Sequence, residues 1–287
     1  MRWKGGRQSD NFEDRRGMST GGKVALGGVG GIIVVILGLL LGGDPNELMS
    51  QLQQGGMQEA ATGEVEVSAA EQELTAFART VLASTEDVWS EIYRQAGATY
   101  RPSALVVFWD GTQTGGCGFG ASAYGPFYCP ADEKVYIDLT FNEELKNRFG
   151  ATGEFAMAYV IAHEIGHHVQ QLQGVLPQVQ SMRGKLSERE FNKLMVRLEL
   201  QADFYAGVWA HHANRMSDVH LEYSDIRDGM NAAAAVGDDR IQQQAQGYVV
   251  PDAFTHGTSE QRAYWFKKGY DTGDLRQGDT FNDPSLQ

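Results

Sequence analysis

Apolar residues fall at three- and four-residue spacings in EQELTAFARTVLASTEDVWSEIY, where Leu74, Phe77, Val81, Leu82, Val88, Trp89 and Ile92 share one face and predict a helix. The short run ALVVFW over residues 104–109 is β-branched and aromatic and predicts a strand. A second strand is expected over 134–141, where Val135, Ile137, Leu139 and Phe141 alternate onto one side. The Gly-rich stretch between them predicts a loop or loose hairpin. A short helix is expected over 142–149, followed by an apolar helix over 153–172 whose composition places it in the interior. Ser187 with Glu190, and Thr258 with Gln261, have the spacing of capping boxes. They predict a long helix running to about His211 and a final helix over 259–269, with another over 224–246 between them. The C-terminal GDLRQGDTFNDPSLQ reads as irregular. The pattern as a whole is α+β, mostly helical with a small sheet.

Upstream of this body, residues 24–43 carry no charge and seven glycines. About 20 apolar residues are enough to cross a bilayer as a helix, and membrane helices accept glycine better than soluble ones do. A transmembrane helix is therefore expected at 24–43, with a basic cytoplasmic N-terminus at 1–23, a polar Gln-rich tether at 44–68 and a catalytic domain at 69–287. Six cations and three acids lie in residues 1–23, and no Lys or Arg follows Lys23 until Arg79. By the positive-inside rule the N-terminus faces the cytoplasm and the body lies outside, making a single-pass protein attached through its N-terminal helix. The remaining chain has 18 basic against 34 acidic residues, which argues against a nucleic-acid partner. The two cysteines, Cys117 and Cys129, lack the spacing of a redox motif or zinc knuckle, and an exported body favours a disulfide between them.

The candidate chemistry sits in YVIAHEIGHHVQQLQG, which contains H-E-x-x-H at His163, Glu164 and His167. On a helix the two histidines are one turn apart on the same face and can reach one Zn²⁺, while Glu164 is offset enough to meet a water rather than the metal. Gln170 and Gln173 stand where the longer H-E-x-x-H-x-x-G-x-x-H motif needs Gly and His, which excludes that class. The third ligand then comes from a later helix. In RLELQADFYAGVWA, Glu199 is placed to bind zinc, and Asp203 one turn on to accept a hydrogen bond from the outer nitrogen of a ligating histidine, His163 by preference.

HEIGHHVQ followed by ELQAD resembles the gluzincin branch of zinc peptidases. The whole chain resembles the bacterial family of neutral zinc metallopeptidases, membrane-anchored HExxH proteins, over essentially its full length. That resemblance implies a zincin-like fold, one Zn²⁺ held by His163, His167 and Glu199, and Glu164 as general base. His256, followed six residues later by Arg262, is similar to a spacing in some membrane-associated gluzincins, although Gly257 stands where those have Pro. The likeness implies that His256 stabilises the oxyanion or occupies the metal in a resting state. Tyr205 and Tyr223 are alternative donors to the oxyanion, and the strand at 135–141 is the expected edge for pairing with an extended peptide. The expected activity is peptide hydrolysis on a peptide or protein substrate. One rival is a zinc-binding, non-hydrolytic envelope interaction protein, and another is a deformylase-type site that uses a cysteine ligand.

Overall fold

The computed structural model describes residues 1–17, 67–151 and 153–286. After strand β1 (Phe12–Asp14) comes helix α1 (Ala69–Gln95), opened by a reciprocal capping box between Ser68 and Glu71. Strands β2 (Ala104–Val107), β3 (Gly111–Gln113), β4 (Phe119–Ala121), β5 (Phe127–Cys129) and β6 (Lys134–Ile137) follow. The rest is helical: α2 (Phe141–Asn147), α3 (Glu154–Leu172), α4 (Val175–Gln180), α5 (Glu188–Met216), α6 (Tyr223–Ala235), α7 (Asp238–Gln246) and α8 (Ser259–Thr272). Ser187 and Thr258 close the two capping boxes expected at the starts of α5 and α8.

One four-stranded sheet has the order β1-β2-β6-β5, with β1, β2 and β6 parallel and β5 antiparallel at the edge. Leu105, Val107, Val135 and Ile137 point into the main core, which they share with α1, α3 and α5. Their alternate neighbours Val106 and Tyr136 face the other way, into a small cluster with Phe108 and Cys129. The β3–β4 hairpin is tied to the end of β5 by the Cys117–Cys129 disulfide, the pairing expected from the sequence. Helix α3 is buried along almost its whole length, and this accounts for its nearly unbroken apolar run.

Three expectations need correction. Strand β6 lies between β2 and β5, so the strand at 135–141 is interior and β5 forms that edge of the sheet. It also ends at Ile137, because Asp138 accepts hydrogen bonds from the Thr140 backbone and side chain and turns the chain into α2. The helix expected over 224–246 is two helices, α6 and α7, broken at Gly237, where a Cβ would meet the Ser259 backbone nitrogen at 2.3 Å.

The third correction concerns the N-terminus, expected to be a basic tail remote from the domain. Residues 1–17 belong to the domain. Strand β1 pairs with β2 in the register Phe12 to Leu105, and the Met1 amino group donates to Asp225 Oδ1 at 2.7 Å. Trp3 is buried edge-on against Phe77. Ser9 Oγ and Asn11 Nδ2 both donate to Glu86 Oε1, at 2.6 and 2.8 Å, and Arg7 reaches Glu86 Oε2 at 3.0 Å. Several cations that suggested a membrane-facing tail are thus paired with acids: Lys4 with Glu73, Arg7 with Glu86 and Asp87, and Arg15 with Glu13. Strands cannot pair across a bilayer, so this arrangement is incompatible with residues 1–17 and the domain lying on opposite faces of one. The expected span at 24–43 and most of the tether lie outside the described residues. Among the described residues no helix is long and apolar enough to cross a membrane.

Single-cysteine reporters at Lys4 and at the exposed Lys185 test the packing of the N-terminus. In intact cells, a membrane-impermeant maleimide is expected to label both or neither. Labelling of one alone would contradict the β1–β2 pairing.

Candidate metal centre

Helices α3 and α5 carry the chemistry, and they touch where it is needed. A Cβ on Gly166 would lie 2.9 Å from the Ala202 carbonyl oxygen and 3.1 Å from its Cα. The lack of a side chain at Gly166 lets the two helix backbones meet, which brings His163 and His167 of α3 to Glu199 and Asp203 of α5.

His163 Nε2 lies 3.1 Å and His167 Nε2 lies 3.4 Å from the same oxygen, Glu199 Oε2. The three ligand atoms are all within 4.8 Å of one another, and all three residues are buried. The other ring nitrogens are engaged. His163 Nδ1 is 2.8 Å from Asp203 Oδ1, a carboxylate that can only accept, so Nδ1 carries a hydrogen and Nε2 is the nitrogen left to face Glu199 or a metal. His167 Nδ1 faces Gln170 Oε1 at 2.9 Å in the same sense. Two imidazole nitrogens and a carboxylate oxygen therefore converge; without a metal they are held together by protons on the imidazoles, and a metal cation would take the place of those protons. With Nε2 deprotonated, the two imidazoles and the carboxylate match the donor set of a catalytic zinc site that keeps one position open.

Asp203 is fully buried and is itself held. Arg262 donates to both its oxygens, Nε to Oδ2 at 2.8 Å and Nη2 to Oδ1 at 3.1 Å, and the Tyr159 hydroxyl also donates to Oδ1. Arg262 is buried as well and spends a further N–H on the Val236 carbonyl oxygen. Burial alone would raise the Asp203 pKa; the charges of Arg262 and His163 reverse that and hold it at about 2. For His163, burial works downward, but Asp203 and Glu199 outweigh it and push the imidazole up to about 10. Glu199 also stays well below the ordinary carboxylate range, because the fields of His167 and His256 overcome its burial. The site favours positive charge throughout.

Glu164 is 8% exposed, and its carboxylate takes no hydrogen bond from any described residue. It is a nearly buried acid with unused lone pairs beside the ligands. In the loop before α8, His256 Nδ1 is 3.0 Å from Thr255 Oγ1 and 3.3 Å from Asp238 Oδ1, while Asp238 Oδ2 accepts from the backbone N–H groups of Thr255, His256 and Gly257 at 2.7, 2.6 and 3.1 Å. Asp238 thus fixes the loop and, with Thr255, the ring, and His256 Nε2 bonds to no described residue. Nothing in the sequence pattern singled out Asp238, Gln170 or Tyr159 for these tasks.

Other expected residues are not brought to the site. The Tyr205 hydroxyl donates to Gln173 Oε1 at 2.7 Å, and Tyr223 is 81% exposed at the start of α6. Neither is hydrogen-bonded to His163, His167 or Glu199. Cys117 and Cys129 are joined to each other, which removes the thiolate that a deformylase-type site requires. His168, off the ligand face as its position predicts, links the Tyr128 hydroxyl of β5 to the Arg101 carbonyl oxygen.

The family model described as "Putative neutral zinc metallopeptidase" matches residues 1–281. This chain belongs to that family. YpfJ of Escherichia coli (strain K12), described as an uncharacterized protein, is 47% identical over 287 residues, which covers 98% of this chain and 99% of that relative. The uncharacterized protein Rv2575 of Mycobacterium tuberculosis (strain H37Rv) is 47% identical over 181 residues, 60% of each chain. No solved structure matches. The family match includes residues 1–17, in agreement with their place in the domain.

Replacing Arg262 with Met leaves Asp203 a buried, uncompensated charge and is expected to cost about 3–5 kcal/mol of stability, measured by denaturant unfolding. The parent's Asp203 contribution is fully present above the ordinary carboxylate value of 3.8 and is lost as pH falls through about 2. In the variant that loss should begin at higher pH. A variant as stable as the parent with the same acid limb would show that the pair is not what holds Asp203 ionised.

Proposed function

We propose that this protein is a zinc-dependent endopeptidase with a zincin-like arrangement of motif helix and sheet, in which His163, His167 and Glu199 hold the metal and Glu164 is the general base. The observation that carries this reading is the convergence of His163 Nε2 and His167 Nε2 on Glu199 Oε2, with the unpaired carboxylate of Glu164 beside them. Bound there, zinc would supply Lewis-acid polarisation of a scissile carbonyl and acidify the attacking water.

The side chains account for the other requirements of the reaction. Glu164, with no competing donor, takes the proton of the attacking water and delivers it to the leaving amine. His256, turned by Asp238 so that Nε2 is free, donates to the oxygen of the tetrahedral intermediate. Partial loss of solvent works to lower the His256 pKa, but Glu199 and Asp238 outweigh it and keep the imidazole above its ordinary value, suited to donating. Strand β5, at the sheet edge and packed against α3, offers unpaired backbone groups to an extended peptide, so the substrate class is peptide or protein. The Cys117–Cys129 bridge supports a location for the domain outside the reducing cytoplasm.

Glu164→Gln keeps the shape of the site and removes the base. Its zinc content should match the parent, while turnover of a quenched-fluorescent peptide library falls by about 10²–10⁴-fold, the usual contribution of a general base. Parental chelator-sensitive cleavage by the variant would rule out this role for Glu164. A parent that binds zinc yet cleaves nothing would favour the non-hydrolytic binding protein.

A further inference from the structure

The two histidines are supported by different means. His163 is backed by a charge, Asp203, whereas His167 is backed by a neutral amide, Gln170 Oε1, at 2.9 Å. Gln170 is completely buried, and its amide nitrogen donates to the Leu198 carbonyl oxygen at 2.7 Å and to Gln201 Oε1 at 3.1 Å. The Gln201 amide nitrogen in turn donates to the Gly278 carbonyl oxygen at 3.1 Å. No local pattern marks either glutamine for this, although Gln170 excludes the longer zinc motif.

Backbone carbonyls only accept. Leu198 O therefore requires the NH₂ end of Gln170, and Gly278 O requires the NH₂ end of Gln201. Each requirement fixes an amide that could otherwise flip, and the two agree, because Gln201 Oε1 is then left to accept from Gln170. Gln170 Oε1 must face His167, which must donate Nδ1–H and turn its Nε2 toward Glu199. The carbonyl of Gly278 lies in the C-terminal segment, which is strapped to α5 by Thr280 Oγ1 donating to Arg197 O and by Arg197 donating to the carbonyl oxygens of Phe281 and Leu286.

We infer that Gln170 and Gln201 form a polar relay that sets the tautomer of His167 and makes the C-terminal segment part of the metal site's support. Gln170 is a positioning residue here, acting through His167. The inference rests on the zinc reading of the site and names which further residues set zinc affinity. Losing a partner that orients a metal-bound histidine typically weakens metal binding about 10–100-fold.

The test uses the full chain, with Zn²⁺ affinity read by competition against a chelating dye, the Co²⁺ visible spectrum as a report on ligand geometry, and the melting temperature of the metal-free protein as a control. Gln170→Leu should weaken Zn²⁺ binding by about 10–100-fold and alter the Co²⁺ bands. Gln170→Met fills nearly the same space with no amide and should lose as much affinity as Gln170→Leu. Gln201→Leu, one step from the ligand, should give a smaller loss of the same kind without changing any group next to the metal. Should Gln170→Leu misfold, the Gln201→Leu variant still decides the matter. Parental Zn²⁺ affinity in Gln201→Leu and in any folded Gln170→Leu overturns the relay while leaving the zinc reading intact. Parental affinity in Gln170→Met beside a loss in Gln170→Leu would assign Gln170 to packing and also overturn it. A parent chain that binds no Zn²⁺ removes the site itself, and the relay with it.

Discussion

Two imidazole nitrogens and one carboxylate oxygen face each other across 3.1 and 3.4 Å in a largely buried pocket. Groups placed so close repel unless protons or a metal cation lie among them, and exclusion of water makes that repulsion stronger than it would be in solvent. Most of the surrounding architecture can be understood as holding these groups in place. Helix α3 supplies two ligands one turn apart, the missing side chain of Gly166 lets α5 come into contact, and α8 contributes Arg262 to lock the carboxylate behind His163.

The supports differ in kind. Asp203 is a charged acceptor, and burying it requires Arg262 and Tyr159, which commits α8 and the middle of α3 to the same network. Gln170 is neutral and needs no counter-charge, only other amides and backbone carbonyls. A second buried carboxylate behind His167 would call for a second buried cation, whose own positive charge would oppose a metal at the site. The neutral relay avoids that cost, and it ties the chain's C-terminal segment to the centre of the molecule.

The parts of this arrangement that were legible in the sequence are those set by local periodicity. His163 and His167 are one helical turn apart wherever the helix lies, and an apolar surround marks Glu199 and Asp203 as inward-facing acids before any contact is known. Capping boxes at Ser187 and Thr258 were readable for the same reason, since their bonds span three residues. What escaped the sequence depends on partners far along the chain. β1 is three residues with two acids, and only its pairing with β2 makes it a strand. The cations around it looked like a membrane signal because their acidic partners, Glu73 and Glu86 among them, lie some 70 or more residues away. Asp238 meets the His256 loop across 18 residues, and the Gln201–Gly278 bond spans 77. The interior place of β6 could not be read from its alternation either, because interior and edge strands can share that pattern.

X-ray absorption at the zinc edge of the purified, zinc-loaded chain tests the central assignment most directly. The account predicts one zinc per chain with two imidazole nitrogens at about 2.0–2.1 Å, carboxylate or water oxygens at similar distance, and no sulfur near 2.3 Å. One imidazole contribution should vanish on replacing His163 or His167. A sulfur shell, or two imidazoles that persist after either replacement, would contradict it.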